Sequence, residues 1–214
     1  MGFYSDYVLP RLMDRLMRGE EFNRERRVAL KDAYGAVLEI GLGTGLSLAN
    51  YPFGITQLTA VDVAAMLPKL VAERIAKAPF PVRFVQITAE KLPFPDARFD
   101  CVVSNLTLCT IPNPASALGE IRRVLKPNGI FLFMEHGRAD DARLARWQDR
   151  LNGIQKAIGG GCNLNRRIAA LIRSAGLDLT KLDRFEFAPM PRTHGQMYRG
   201  VAKRSGDVSS RSNF

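Results

Sequence analysis

From Gly35 onward the chain alternates between two hydrophobic rhythms. Short apolar runs bounded by glycine, proline or polar residues lie at 36–41, Leu58 to Asp62, Val82 to Ile87, Cys101 to Asn105 and Ile130 to Glu135, which is how buried strands read. Between them apolar residues return about every three to four positions, the period of a helix with one covered face. Leu67, Leu70, Val71 and Ile75 mark a helix over about 66–78 that Pro79 and Pro81 stop. A second helix, at 116–125, closes on the turn Lys126-Pro127-Asn128-Gly129. Leu144, Trp147, Leu151 and Ile154 form an apolar stripe within a third, at 138–158, and a fourth, at 166–175, has Asn163 or Asn165 as its cap and Gly176 as its end. One more helix is expected just after Thr44. Two β-like stretches, 181–188 and 196–203, complete the pattern. Alternation of this kind specifies an α/β fold with a parallel, doubly wound sheet.

The N-terminal segment has its own pattern. Tyr4, Tyr7, Val8, Leu12, Leu16 and Met17 recur at helical spacing, with Arg11, Arg15, Arg18, Arg24, Arg26 and Arg27 between or beyond them. The reading is therefore a helical lid at 1–33, a main domain at 34–204 and a polar tail at 205–214 that is expected to be disordered. Tyr4 and Tyr7 become candidates for the wall of a substrate pocket.

Composition bounds this picture without changing it. A chain of 214 residues builds one sizeable core, and 46% apolar with 24% charged residues is ordinary for a globular protein. There is no apolar run of about 18 residues, and Asp6 and Asp14 interrupt a start that lacks a signal-like core, so a cytoplasmic protein is expected. The net charge of +10 favours anionic partners. The basic residues are nevertheless spread over several helices and the tail with no interleaved aromatics, so nucleic acid is not expected as a partner. The N-terminal segment is compatible with peripheral contact to an anionic membrane. Cys101, Cys109 and Cys162 are odd in number and lack Cys-x-x-Cys spacing, which suggests neither a disulfide framework nor a metal site.

Candidate chemistry centres on Ala36 to Gly45, Ala-Val-Leu-Glu-Ile-Gly-Leu-Gly-Thr-Gly. Gly41, Gly43 and Gly45 let the backbone take positive φ and approach a ligand closely. A dinucleotide fingerprint would place its third glycine where Leu46 stands. The carboxylate of Glu39 would moreover repel a pyrophosphate and attract a ligand carrying an ammonium and a sulfonium. The run 58–62 ends in Asp62, 62 − 41 = 21 residues beyond the first glycine, near the spacing of about 20 at which an acid meets ribose hydroxyls.

These motifs resemble the class I S-adenosylmethionine-dependent methyltransferases. The resemblance implies a Rossmann-like, mostly parallel seven-stranded sheet with a C-terminal antiparallel hairpin and N-terminal helices, and S-adenosyl-L-methionine as cofactor. It implies that Glu39, Gly41, Gly43, Thr44 and Gly45 hold the methionine part, and Asp62 with Val63 the ribose. The stretch Thr88-Ala89-Glu90-Lys91-Leu92-Pro93-Phe94 is similar to the methyltransferase type 11 group, and places the adenine on Ala89 and Glu90, with Thr88 where that group carries an aspartate. Asn105 and Leu106, ending a strand, then lie beside the transferable methyl group.

Leu106-Thr107-Leu108-Cys109, Phe133-Met134-Glu135-His136 and Gly161-Cys162-Asn163-Leu164 with Arg166 are similar to the animal alkyl thiol S-methyltransferases. That similarity implies a small-molecule acceptor, a thiol or another soft nucleophile. His136, Asn105 and His194 are the catalytic candidates, and Cys109, Trp147 and Asn163 join Tyr4 and Tyr7 as pocket candidates. Two other readings stay open: methylation of a lipid head group or quinone precursor, and a non-catalytic nucleoside- or RNA-binding protein on the same fold.

Overall fold

Neighbouring residues in the central strands face opposite ways, and both faces are buried. Within β1 (Gly35–Ile40), Val37 packs into one apolar layer and Leu38 into the other; Val103 and Val102 divide likewise in β4 (Phe99–Asn105), and Leu132 and Phe131 in β5 (Leu125–His136). Such doubly covered strands are the mark of a parallel sheet with helices on each side. The first layer rests on Leu30 of α2 (Glu20–Leu30) and Val71 of α3 (Pro68–Ala76). The second rests on Leu118 and Ile121 of α4 (Pro114–Val124) and on Ile168 and Ile172 of α6 (Ile168–Ser174), with α5 (Ala142–Ile158) preceding α6 in the chain. These positions come from a computed structural model that describes residues 4–206. Residues 207–214, most of the tail expected to be disordered, lie outside the described residues.

The remaining strands are β2 (Ile55–Asp62), β3 (Val82–Gln86), β6 (Leu177–Glu186) and β7 (Gln196–Arg204). The sheet has seven strands in the order β3-β2-β1-β4-β5-β7-β6. β1 pairs in parallel with both β2 and β4, so the strand order reverses there and opens a crevice at their carboxyl ends. β7 runs antiparallel to β5 and β6. The doubly wound sheet and its C-terminal antiparallel hairpin both match expectation.

Local details depart from the periodicity. No α-helix follows Thr44; a short 3-10 turn, Leu48–Asn50, stands there. The Asn50 side chain donates to the Leu46 carbonyl at 2.9 Å and so closes the loop on itself, and Pro52 would interrupt a longer helix. The turn at Lys126 to Gly129 is absorbed into β5 as an irregularity opposite Phe99 and Cys101, with Asn128 at φ +64°. Asp141, accepting from the Leu144 amide at 2.7 Å, starts α5 later than the apolar pattern suggests. Neither Asn163 nor Asn165 caps α6; Arg167 stands at the cap position without a side-chain bond. The α5 stripe is only half covered: Trp147 is 55% and Ile154 62% exposed, Leu144 and Leu151 are half-buried, and Ala145 and Gln148 are buried. No described helix is long and apolar enough to cross a membrane.

At the N-terminus a wide helical turn, Tyr4–Val8, leads into α1 (Leu9–Met17), which buries little besides Pro10 and Asp14. Asp14 accepts from the Thr44 hydroxyl at 2.8 Å and from the Arg74 guanidinium at 2.6 Å, and Arg74 also donates to the Thr44 carbonyl at 2.7 Å. This buried knot ties α1 to the glycine turn after β1 and to α3.

Candidate functional site

The crevice begins where β1 ends. Gly41 has φ +74°, and any β-carbon there would run into the Thr107 side chain, so only glycine lets the turn after β1 lie against the loop after β4. Gly43 has φ +57°, yet a β-carbon there would meet nothing within 4 Å. Its requirement is the left-handed backbone, and the space above it is open. The Gly43 amide donates to Asp62 Oδ2 at 2.8 Å, so the carboxylate ending β2 fixes the turn. Burial holds the Asp62 carboxyl above its ordinary range, opposed by bonds from the Gly43, Ala64 and Val63 amides. Val63 is exposed beside it.

Glu39 is deeper than its proposed attraction for a cationic ligand requires. Its side chain is buried, Tyr51 donates a hydroxyl bond to it at 3.0 Å, and burial pushes its carboxyl up to about 7 against the help of Ser47, Tyr51 and Arg26. Arg26 is itself buried, and desolvation brings its guanidinium down to about 10. The hydroxyl of Thr44 is taken by Asp14. Gly45 lies against Leu48 and Arg74.

In the loop after β3, Ala89 is buried in the core layer with α4. Thr88 accepts from the Glu90 amide at 3.2 Å, and Glu90 accepts from the Asn113 amide at 2.5 Å. Thr88 and Glu90 therefore shape this loop, joining it to the cap of α4. At the end of β4, Asn105 Oδ1 is buried and has no hydrogen-bond partner among the described residues. Leu106 follows in the left-handed region, φ +56°. A non-glycine residue there carries strain that the surroundings must hold. Glu135 supplies the hold: buried in β5, it accepts from the Ser104 hydroxyl at 2.6 Å and from the Thr107 and Leu108 amides, both at 3.0 Å. The sequence reading gave Glu135 no role. Its one signal was a carboxylate within an apolar strand.

Beyond this loop three residues converge. His136 Nε2 and Cys162 Sγ are 2.9 Å apart, and Cys109 joins them with all three ligand atoms within 4.8 Å of one another. The Cys109 and His136 contacts hold the Cys162 thiol down to about 4, while Cys109 is pushed up by Cys162 and by burial. Burial opposes charge on His136, but Cys162 and Glu135 outweigh it and raise its pKa. Asn163 donates from its backbone and side-chain nitrogens to the Cys109 carbonyl at 2.9 and 3.0 Å, and Arg166 donates to the Leu108 carbonyl. His194 stands behind, paired with Gln155 at 3.1 Å.

The fold therefore gathers Asn105, Leu106, Cys109, His136 and Asn163 at one end of the crevice, although cysteine spacing gave no hint of the cluster. Tyr4, Tyr7 and Trp147 are each more than a third exposed. Tyr4 donates its hydroxyl to the Ile158 carbonyl at 3.0 Å, and the Arg150 guanidinium lies 5.4 Å over the Trp147 ring. They form an outer face where the sequence reading expected a pocket wall.

Known proteins resemble this chain in sequence and fold. The methyltransferase domain family matches residues 38–133. Thiol S-methyltransferase TMT1B of Rattus norvegicus is 31% identical over 198 residues, covering 88% of this chain and 80% of that protein. Phosphatidylethanolamine N-methyltransferase of Cereibacter sphaeroides is 31% identical over 65% of this chain and 70% of its own length. Among solved structures, the 1,6-didemethyltoxoflavin-N1-methyltransferase of Burkholderia thailandensis, with bound S-adenosylhomocysteine, superposes with a TM-score of 0.63 at 18% identity, over 92% of this chain and 90% of that one.

Proposed function

The chain belongs to the class I S-adenosylmethionine-dependent methyltransferases of the type 11 group, and from that premise we propose that it transfers a methyl group to the sulfur of a small thiol. What carries the reading is the extent of one similarity. The match to a thiol S-methyltransferase spans 88% of the chain, well beyond the 38–133 domain, so it must include much of the sequence that builds the acceptor end.

The residues present suit the cofactor. Open space above Gly43 admits a ligand against bare backbone, and the orphaned Asn105 Oδ1 calls for a donor such as an ammonium. Gly41 to Gly45, Asp62, Val63 and Asn105 would hold it, with Ala89 and Glu90 at its adenine end. When bound, S-adenosylmethionine supplies an electrophilic methyl group on a sulfonium. The protein's task is then mainly alignment of the acceptor sulfur. The Leu106 loop, gripped by Glu135, fixes one side of that position, while Cys109, His136 and Asn163 border the other. A free thiol ionises near pH 8.5, so a modest local preference for the anion is enough at neutral pH.

Purified protein incubated with labelled cofactor and a panel of thiols, amines and quinols is expected to label thiols. Labelling confined to amines or quinols would remove the thiol assignment.

A second reading, methylation of a lipid head group, rests on a separate observation. Leu12 and Leu16 of α1 and Trp147, Ile154 and Ile158 of α5 are all exposed, beside basic Arg11, Arg15, Arg143, Arg146 and Arg150. An apolar face with a basic border suits an anionic bilayer surface.

A further inference from the structure

Cys109, His136 and Cys162 are brought together by three separately anchored pieces of chain. Cys109 lies in the turn after Leu106, where Asn163 binds its carbonyl twice. His136 is the last residue of β5. Cys162 follows Gly160 and Gly161, both at positive φ, and its amide donates to the Gly159 carbonyl at 3.2 Å. The backbone thus presents one imidazole nitrogen and two sulfurs to a common point.

Hydrogen bonds already link the three, since His136 Nε2 and Cys162 Sγ are 2.9 Å apart and the Cys109 and Cys162 thiols bond each other. Cys109 makes a long contact of 3.6 Å to the Leu106 carbonyl, and buried His136 Nδ1 has no hydrogen-bond partner among the described residues. Zinc takes sulfur at about 2.3 Å and imidazole nitrogen at about 2.0–2.1 Å in tetrahedral geometry. Two such ligands on one ion stand roughly 3.5 Å apart, so a movement of about half an ångström would replace the shared proton by a metal. Two cysteines and one histidine are also a known catalytic zinc set, which leaves a fourth position open.

We infer that Cys109, His136 and Cys162 form a three-ligand site for a thiophilic divalent cation, zinc by the chemistry of its donors. Cys162 is the least buried of the three, so an outside ligand would approach the ion from its side. In the part of the inference that rests on the thiol reading above, that ligand is the acceptor sulfur, which coordination would hold as the thiolate.

The test uses the full chain, purified under reducing conditions without chelator. Elemental analysis is expected to find about one zinc per chain. Cobalt added to stripped protein is expected to give the visible bands of a tetrahedral site and the near-ultraviolet absorption of thiolate bound to cobalt. Cys109→Ser, Cys162→Ser and His136→Gln should each weaken cobalt binding at least about tenfold, while Cys101→Ala retains it; circular dichroism checks that each variant is folded. Folded, reduced wild-type protein that binds neither ion would overturn the site, as would cobalt bands unchanged in all three ligand variants. Metal uptake is measured without cofactor or acceptor, which separates the two ideas. Thiol methylation at full rate by metal-free protein overturns coordination of the acceptor sulfur and leaves the thiol reading standing. A loaded protein that methylates no thiol keeps the site and removes the acceptor assignment.

Discussion

Gly43 combines a left-handed backbone, open space above it and an amide tied to Asp62. A side chain there would carry a strain of about 1–2 kcal/mol and would also occupy the ligand's approach. Gly43→Val is accordingly expected to stay folded, with a slightly lower melting temperature, while calorimetry shows S-adenosylmethionine binding weakened by at least about tenfold. Wild-type affinity in that variant would place the cofactor elsewhere. Glu39 gives a pH prediction. Burial raises its carboxyl from 4.5 to about 7, so the unfolded chain releases that proton more readily than the folded one. Its contribution is therefore fully present below about pH 4.5 and is lost as pH rises through about 7. The loss is on the order of 3 kcal/mol, and Asp62 and Glu135, also raised by burial, act in the same direction. Urea unfolding of wild type and Glu39→Gln between pH 5 and pH 8 checks it: the substitution should flatten the profile, and parallel profiles would show that Glu39 is not the titrating group.

At the scale of elements, α1 is attached to the glycine turn chiefly through one buried carboxylate. Asp14 meets Thr44 and Arg74 together, and although burial opposes its charge, those bonds hold its pKa below the ordinary value. Asp14→Ala should cost about 1–3 kcal/mol of stability and speed hydrogen exchange in α1 and the 41–47 loop while sparing the sheet. Unchanged exchange in α1 would show that the knot does not hold that helix. The apolar pattern foresaw a helical N-terminal segment and could not foresee this contact, because Asp14 looks like any polar residue on an amphipathic helix. The α5 stripe misled for the opposite reason. Periodicity showed that one face was apolar, but the buried face is set by Gln148, which bonds the Ala139 amide and the Gly137 and Thr193 carbonyls.

For the whole molecule, a net charge of +10 acquires a location once the chain is folded. The turn before α1 reaches the end of α5, where Tyr4 bonds the Ile158 carbonyl; both helices expose apolar residues, and arginines border both. The protein is expected to float with anionic vesicles at low salt, to release them as salt rises and to ignore zwitterionic ones. Leu16→Asp with Trp147→Asp should reduce binding by well over about tenfold, since burying each side chain is worth roughly 1.5–3 kcal/mol; equal flotation of that variant would refute the face. By itself the sequence determined the alternation of strands and helices and the glycine turn, since hydrophobic period and turn chemistry act between residues close along the chain. Tertiary structure alone decided that Glu135 grips the Leu106 loop, that Asp14 reaches Thr44, and that Cys109, His136 and Cys162 share one point. Those contacts follow from β4 and β5 lying side by side and from how the loops beyond them close, and spacing along the chain carries no record of either.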